Sequence, residues 1–211
     1  MNTPNPPADF GQNKDALESI HLKREEFFSI ESQVRLREHF NRYAAIRRFC
    51  YGDVLDCASG CGYGSFLLAA NPEVKSITAV DRDKAAYDWA VQEYSHPKIN
   101  YKHLKIEDIE GSFDTLVSLE TIEHLEDPSI LRLIAQKCNI KQVIISFPDK
   151  KSTHFNKWHL HDLVVQDVVD IFKKYLLYYS FHRGDVCFLL FMLLPDNAPS
   201  HIYRNISDLK L

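Results

Sequence analysis

Short apolar runs alternate with segments of helical periodicity along most of the chain. One strand-like run ends at Asp56, and others occupy 76–80, 99–104, 113–119 and 141–147. Apolar residues at helical spacing occupy 65–70, 83–94, 129–138 and 162–175. Strands that alternate with helices are typical of an α/β domain whose sheet is mostly parallel.

The last two apolar runs, 176–181 and 186–194, follow each other with no helix between them. The Arg-Gly-Asp turn at 183–185 predicts a hairpin, which adds an antiparallel strand pair to the sheet. The chain is therefore expected to form a doubly wound, mostly parallel seven-stranded α/β sheet. A C-terminal antiparallel hairpin completes it, with helices on both faces.

The expected division of the chain has four parts. Residues 1–15 are rich in Asn and Pro and predict a disordered leader. Residues 16–50 have helical periodicity and predict a helical cap, whose mixed charges fit either a solvated face or a substrate lid. Residues 51–195 form the core, and 196–211 are a tail without an assigned structure.

Charge and cysteine content limit the classes of partner and compartment. The net charge of −4 gives no overall attraction to nucleic acid or anionic membranes. The five cysteines lack paired metal spacing, which favours a reducing cytoplasm. The longest apolar run, 186–194, is too short to span a bilayer as a helix. The oligomeric state stays open.

The stretch from Asp56 to Ser65 places small residues where the first strand ends and a helix begins. This arrangement binds nucleotide-like ligands in α/β folds. A dinucleotide fingerprint requires glycine where Ser65 stands, and Asp56 would repel a pyrophosphate but attract an ammonium or sulfonium. S-adenosylmethionine (SAM) carries both cations and no phosphate.

The pattern Asp-x-Ala-x-Gly-x-Gly-x-Gly, from Asp56 to Gly64, resembles the first motif of Rossmann-like SAM-dependent methyltransferases. The resemblance implies that Asp56, Ala58, Gly60 and Gly62 cradle the methionine part of SAM as cofactor. The family usually has glycine where Ala58 stands. Alanine preserves close backbone approach unless that position requires a positive φ.

Asp81 follows Gly60 by 21 residues, close to the interval at which doubly wound folds bring an acid to a ribose. A carboxylate can accept hydrogen bonds from both ribose hydroxyls. The alternative is that Asp81 caps the next helix.

The resemblance also implies that the backbone of Ile106 and the neighbouring Glu107 contact the adenine, although a plain surface turn fits this segment equally well. It adds further cofactor-binding residues, namely Tyr43, Arg82, Leu119 and Glu120.

A second informative segment, 120–128, follows the fourth predicted strand and should lie beside the glycine-rich loop. In a helical turn, Glu120, Glu123 and His124 share one face. His124 has a side chain suited to general base catalysis near neutral pH. The alternative is a structural histidine that caps a helix.

Glu120, Glu123 and His124, joined by His159, also suggest a four-ligand site for Mg²⁺ or Mn²⁺. This pattern is similar to that of small-RNA 2′-O-methyltransferases, so a metal-dependent RNA methyltransferase is an alternative function. The same Glu-Thr-Ile-Glu-His motif is common in metal-free bacterial relatives, and in these the resemblance implies that Glu120 lies near the methionine end of the cofactor.

Four segments together resemble bacterial methyltransferases of cell-surface glycan and lipopolysaccharide synthesis, namely 41–43, 58–65, 118–125 and 156–162. Trp158 beside His159 suits a sugar ring and a hydroxyl to deprotonate, or else anchors its loop. The resemblance implies O-methylation of a small-molecule or glycan-type acceptor, with His124 and His159 as catalytic residues. A non-catalytic, cofactor-binding partner protein is a further alternative.

Overall fold

One seven-stranded sheet forms the centre of the computed structural model, which describes residues 39–154 and 156–194. The strand order is β3-β2-β1-β4-β5-β7-β6. The strands are β1 (Gly52–Cys57), β2 (Val74–Asp81), β3 (Ile99–His103), β4 (Thr115–Leu119), β5 (Gln142–Pro148), β6 (Tyr175–Arg183) and β7 (Val186–Leu193).

The pairing of the strands confirms the predicted fold class. The first five strands pair in parallel, and β7 lies antiparallel between β5 and β6. The predicted leader 1–15 and tail 196–211 lie outside the described residues, as does the cap up to residue 38.

Helices cover both faces of the sheet. They are α1 (39–46), α2 (Tyr63–Ala69), α3 (Lys84–Glu93), α4 (Ile130–Lys137) and α5 (Val165–Ile171). One apolar cluster includes Tyr43 and Leu68, and a second includes Leu131 and Phe172. Every residue of β5 is buried, as expected of a central strand covered on both faces.

Helix α5 is shorter than the predicted 162–175. Val164 has extended backbone and an exposed side chain, so the helix begins at Val165. Tyr175 pairs with Leu193 in the hairpin. The last residue of the predicted helix therefore belongs to the edge strand β6, where cross-strand hydrogen bonds replace those of a further helical turn.

Among the described residues, no helix has the length and apolar character needed to cross a lipid bilayer.

Helix α1 packs directly on α2 through Gly64. A Cβ atom built on Gly64 would lie 2.2 Å from the ring of Tyr43. The Tyr43 hydroxyl donates a hydrogen bond to Asp56 at the end of β1. The missing side chain at Gly64 therefore lets α1 reach the edge of the sheet where the loops gather.

We expect Gly64→Ala to destabilise the protein by about 1–3 kcal/mol through overpacking against Tyr43, although alanine has the higher helix propensity. Urea unfolding midpoints measure the change. In a Tyr43→Ala background the same substitution should cost nothing or stabilise, because the ring is absent. An equal cost in both backgrounds would contradict the role of Tyr43.

Candidate functional site

A cleft of about 1220 Å³ opens at the carboxyl ends of the parallel strands. The loops after β1, β2, β3, β4 and β5 and the β6–β7 turn line it, together with α1. The predicted site residues on its wall are Tyr43, Ala58, Gly60, Asp81, Arg82, Ile106, Glu107, Leu119, Glu120, Glu123, His124 and His159.

Two predicted cofactor residues, Asp56 and Gly62, do not line this cleft. Asp56 is fully buried and accepts hydrogen bonds from the Tyr43 hydroxyl at 3.1 Å and the Ser65 hydroxyl at 2.5 Å. A Cβ on Gly62 would lie 2.6 Å from the Cβ of Ala90, so this glycine admits helix α3. Both residues support the wall from behind.

The loop after β1 has left-handed backbone at Ala58, where φ is +61°. This conformation costs an L-residue roughly 1–2 kcal/mol. Ala58 therefore carries backbone strain that a glycine at this position would avoid. Gly60 has a φ of +55°, and a Cβ there would meet nothing within 4 Å. The loop therefore presents an open, backbone-lined surface to the cleft.

Asp81 ends β2 and is 6% exposed. It accepts hydrogen bonds from the Gly60 amide at 2.7 Å and the Asp83 amide at 2.8 Å. Burial raises the pKa of Asp81. Asp83, which accepts from the Ala85 amide, is the cap of α3, so the alternative role of Asp81 as that cap is excluded.

The Asp81 carboxylate retains capacity for a ligand. An ionised carboxylate offers about four acceptor positions, and the two backbone amides use one on each oxygen. The neighbouring Arg82 is exposed on the cleft wall. Ile106 and Glu107 on the cleft wall belong to a short 3-10 turn, in which Ile106 is buried and Glu107 exposed.

Glu120 lies apart from the turn that holds Glu123 and His124. Its backbone is left-handed, with a φ of +51°, and the 3-10 turn begins only at Ile122. One carboxylate oxygen lies 3.2 Å from Arg42 Nη2, and the other accepts from the Ser146 hydroxyl at 2.8 Å. Glu120 therefore links α1 to β5.

His124 and His159 meet edge to face, with ring centroids 4.7 Å apart. His124 Nδ1 lies 2.9 Å from the Trp158 carbonyl oxygen. A carbonyl only accepts hydrogen bonds, so Nδ1 carries the hydrogen and neutral His124 has its lone pair on Nε2. His159 Nδ1 lies 2.6 Å from the Ser152 hydroxyl oxygen.

A buried carboxylate lies beside the two imidazoles. Glu123 is 1% exposed, and its Oε1 lies 3.9 Å from His124 Nε2. Glu123, His124 and His159 each have one atom able to bind a metal ion, and these three atoms lie within 4.8 Å of one another. Glu120 does not belong to this cluster.

The loop after β5 docks on the segment after β4 through main-chain contacts. The Leu160 amide donates to the Glu123 carbonyl at 2.8 Å, and His161 Nε2 donates to the Leu125 carbonyl at 2.8 Å. His161 is therefore held by backbone. The sequence did not predict that Arg42 and Ser146 bind Glu120 or that Ser152 binds His159. Residue spacing does not indicate these contacts, because they depend on how the loops and helices pack together.

Residues 55–137 match the family described as "Methyltransferase domain". No curated protein matches the chain. Solved structures that share the fold include the magnesium protoporphyrin IX methyltransferase of Synechocystis PCC 6803 with bound S-adenosylhomocysteine (SAH). That structure has a TM-score of 0.65 and 13% identity, over 79% of this chain and 88% of that one.

Two further structures have similar topology. The N-methyltransferase NodS of Bradyrhizobium japonicum WM9 in complex with SAH has a TM-score of 0.59 and 16% identity, over 81% of this chain and 96% of that one. A SAM-dependent methyltransferase of Aquifex aeolicus has a TM-score of 0.61 and 13% identity, over 81% of this chain and 96% of that one.

Residues 55–137 therefore match a methyltransferase domain, and the solved structures share the predicted Rossmann-like fold. The predicted cofactor, S-adenosylmethionine, agrees with the SAH bound in two of these structures.

The buried Asp56 should give the folding stability a measurable pH dependence. Burial raises the pKa of Asp56 to about 6, although hydrogen bonds from Ser65 and Tyr43 lower it in part. In the unfolded chain the pKa is about 3.9. Between these values the folded state binds more protons, so through this group the free energy of unfolding falls as pH rises.

The Asp56→Asn variant lacks this ionisation. Between pH 4 and pH 7 its stability relative to the natural protein should shift in its favour by about 2 kcal/mol, as measured by urea unfolding at each pH. Parallel stability curves for the two proteins would show that Asp56 does not titrate in this range.

Proposed function

We propose that this chain transfers the methyl group of SAM to an oxygen atom of a small-molecule or glycan-type acceptor. One observation carries the proposal. The cleft joins an open backbone loop and a buried carboxylate, Gly60 and Asp81, to a pair of facing imidazoles, His124 and His159. The first pair suits an adenosine ligand and the second suits a hydroxyl acceptor.

The cofactor half of the cleft fits SAM in its available space and acceptor groups. A Cβ on Gly60 would meet no atom, so a ligand can approach this backbone closely. Asp81 would accept hydrogen bonds from the ribose hydroxyls, and the turn at Ile106 and Glu107 would contact the adenine. SAM supplies an activated methyl group on its sulfonium when bound.

The methionine end of the cofactor would lie between α1 and the segment after β4. Tyr43, Leu119 and Glu120 line this part of the wall. Arg42 and Ser146 fix the orientation of the Glu120 carboxylate, whose oxygens would accept a hydrogen bond from the ammonium of the methionine end. Ala58 and Gly60 provide the neighbouring backbone, while Asp56 and Gly62 support it from behind.

In the acceptor half, His124 would serve as the general base. Its neutral ring has the lone pair on Nε2, which can accept the proton of an acceptor hydroxyl. His159 faces it and would orient the same hydroxyl. Trp158, also on the wall, would pack against a sugar ring. The remaining contribution is in-line alignment of acceptor and methyl group.

A metal-assisted variant of this reaction is a second candidate. Glu123, His124 and His159 form a two-histidine, one-carboxylate cluster, a donor set suited to divalent transition ions such as Mn²⁺. A hydroxyl at the end of an RNA would be one possible acceptor. The net charge of −4 disfavours that substrate, because nucleic-acid binding depends on positive charge.

The cytoplasm is the compartment that we propose for this reaction. All five cysteines are buried as free thiols, which fits a reducing environment. SAM is made inside cells, so a methyltransferase of this type meets its cofactor there.

Asp81→Ala should weaken SAH binding by about 10-fold or more, because the lost hydrogen bonds involve a charged group. Isothermal titration calorimetry with SAH measures the affinity. Asp83→Ala is the matched control, since it removes the neighbouring cap of α3 and leaves Asp81 in place. Binding of NAD with no heat from SAH would overturn the proposed cofactor.

His124→Ala should lower methyl transfer by about 10²-fold or more if His124 is the general base. The assay follows SAH formation and labelled methyl transfer from SAM to a panel of sugars and sugar phosphates. His154→Ala removes an exposed histidine of the loop after β5 that lies outside the cleft wall, and this variant should retain activity.

A chelator separates the two candidate mechanisms. Loss of activity with EDTA and recovery with Mn²⁺ would assign the imidazoles to a metal instead of direct proton transfer. SAH binding with unchanged turnover in His124→Ala would argue against any catalytic role for this residue and favour a partner protein that binds cofactor only.

A further inference from the structure

We propose that Ser152 is a positioning residue for His159: its hydroxyl holds the imidazole in the orientation that faces His124 across the acceptor half of the cleft. The inference rests on the proposed function, since it assigns His159 to the acceptor. It adds a residue that the glycine-rich motif and the histidine spacing do not indicate.

The contact between Ser152 and His159 is short and shielded from water. Ser152 is 2% exposed, and its Oγ lies 2.6 Å from His159 Nδ1. The edge-to-face contact with His124 restrains the ring from a second direction. A hydrogen bond at one nitrogen fixes both the rotation of an imidazole and the nitrogen that remains for the cleft.

Ser152 is itself held in place by the Asp162 carboxylate. The Ser152 amide donates to Asp162 Oδ1 at 2.7 Å, and the Thr153 amide and hydroxyl donate to the same carboxylate at 3.0 and 2.8 Å. These hydrogen bonds lower the pKa of Asp162 to about 2, so it stays ionised at neutral pH. The turn that carries Ser152 is thus a fixed support.

The same loop returns to His159 through its backbone. The Asn156 amide donates to the Ser152 carbonyl at 2.9 Å, and the His159 amide donates to the Asn156 carbonyl at 3.0 Å. His159 is therefore linked to Ser152 through both its backbone and its ring. This arrangement fixes the ring more tightly than either contact alone.

The two imidazoles have partners of different chemistry. A carbonyl holds His124, and it can only accept a hydrogen bond. A hydroxyl holds His159, and it can donate or accept. Ser152 can therefore remain bonded to Nδ1 whether His159 is neutral or protonated, which suits a ring beside a group that takes up a proton.

The test uses the full chain labelled with ¹⁵N-histidine and the ring signals of His159 and His124 from pH 5 to 9, with SAH present. In Ser152→Ala, the ring signals of His159 should shift and broaden, because Nδ1 loses its hydroxyl partner and the ring gains freedom to rotate. The His124 signals should change little, because the Trp158 carbonyl is intact. Methyl transfer should fall about 10-fold, as expected for one lost hydrogen bond.

Thr153→Val is the matched control. It removes the neighbouring hydroxyl bond to Asp162 and keeps the Ser152 hydroxyl, so the His159 ring signals should be unchanged. Ser152→Cys, which has similar volume and a weak donor, provides a second variant if Ser152→Ala does not fold, and it should also shift the His159 signals.

Unchanged His159 signals in a folded Ser152→Ala or Ser152→Cys variant would overturn the proposal, as would an equal shift in Thr153→Val. These ring signals do not depend on methyl transfer. A natural protein that failed to bind SAH would overturn the proposed function, whereas a normal SAH affinity with insensitive His159 signals would overturn only the role of Ser152.

Discussion

The hydrogen bond from the Gly60 amide to Asp81 is the interaction on which the proposed cofactor half of the cleft depends. It joins the loop after β1 to the end of β2 over 2.7 Å. The loop has left-handed backbone at Ala58, which is unfavourable for an L-residue, so it requires such support from its surroundings. The carboxylate supplies that support and still faces the cleft.

Much of the fold was predictable because strand and helix periodicities are local, and the glycine spacing with Asp81 indicated where a ligand would bind. The burial of Asp56 was not predictable from the sequence, because Tyr43, which covers Asp56 and donates a hydrogen bond to it, belongs to a separate helix. The sequence grouped Glu120 with Glu123 by spacing. In the structure, the left-handed backbone of Glu120 interrupts the helical spacing. Its carboxylate binds Arg42 and Ser146 instead.

The two ends of the cleft are built in different ways. The cofactor half uses backbone at Gly60 and side chains at the ends of sheet strands, so its geometry follows from the fold. The acceptor half is formed by two loops that hold one another, through His124 and Trp158 and through Leu160 and Glu123. Loops vary more easily than sheets, which places acceptor choice in the more changeable part of the molecule.

The bond from His124 to residue 158 ends on a main-chain oxygen, so every amino acid at that position offers the same acceptor. The indole of Trp158 is thus chemically independent of the group that sets the histidine's hydrogen. An exchange of this side chain can reshape the space for a new acceptor while the basic nitrogen stays as it is. In the proposed reaction, the range of acceptors and the transfer of the proton can therefore diversify separately.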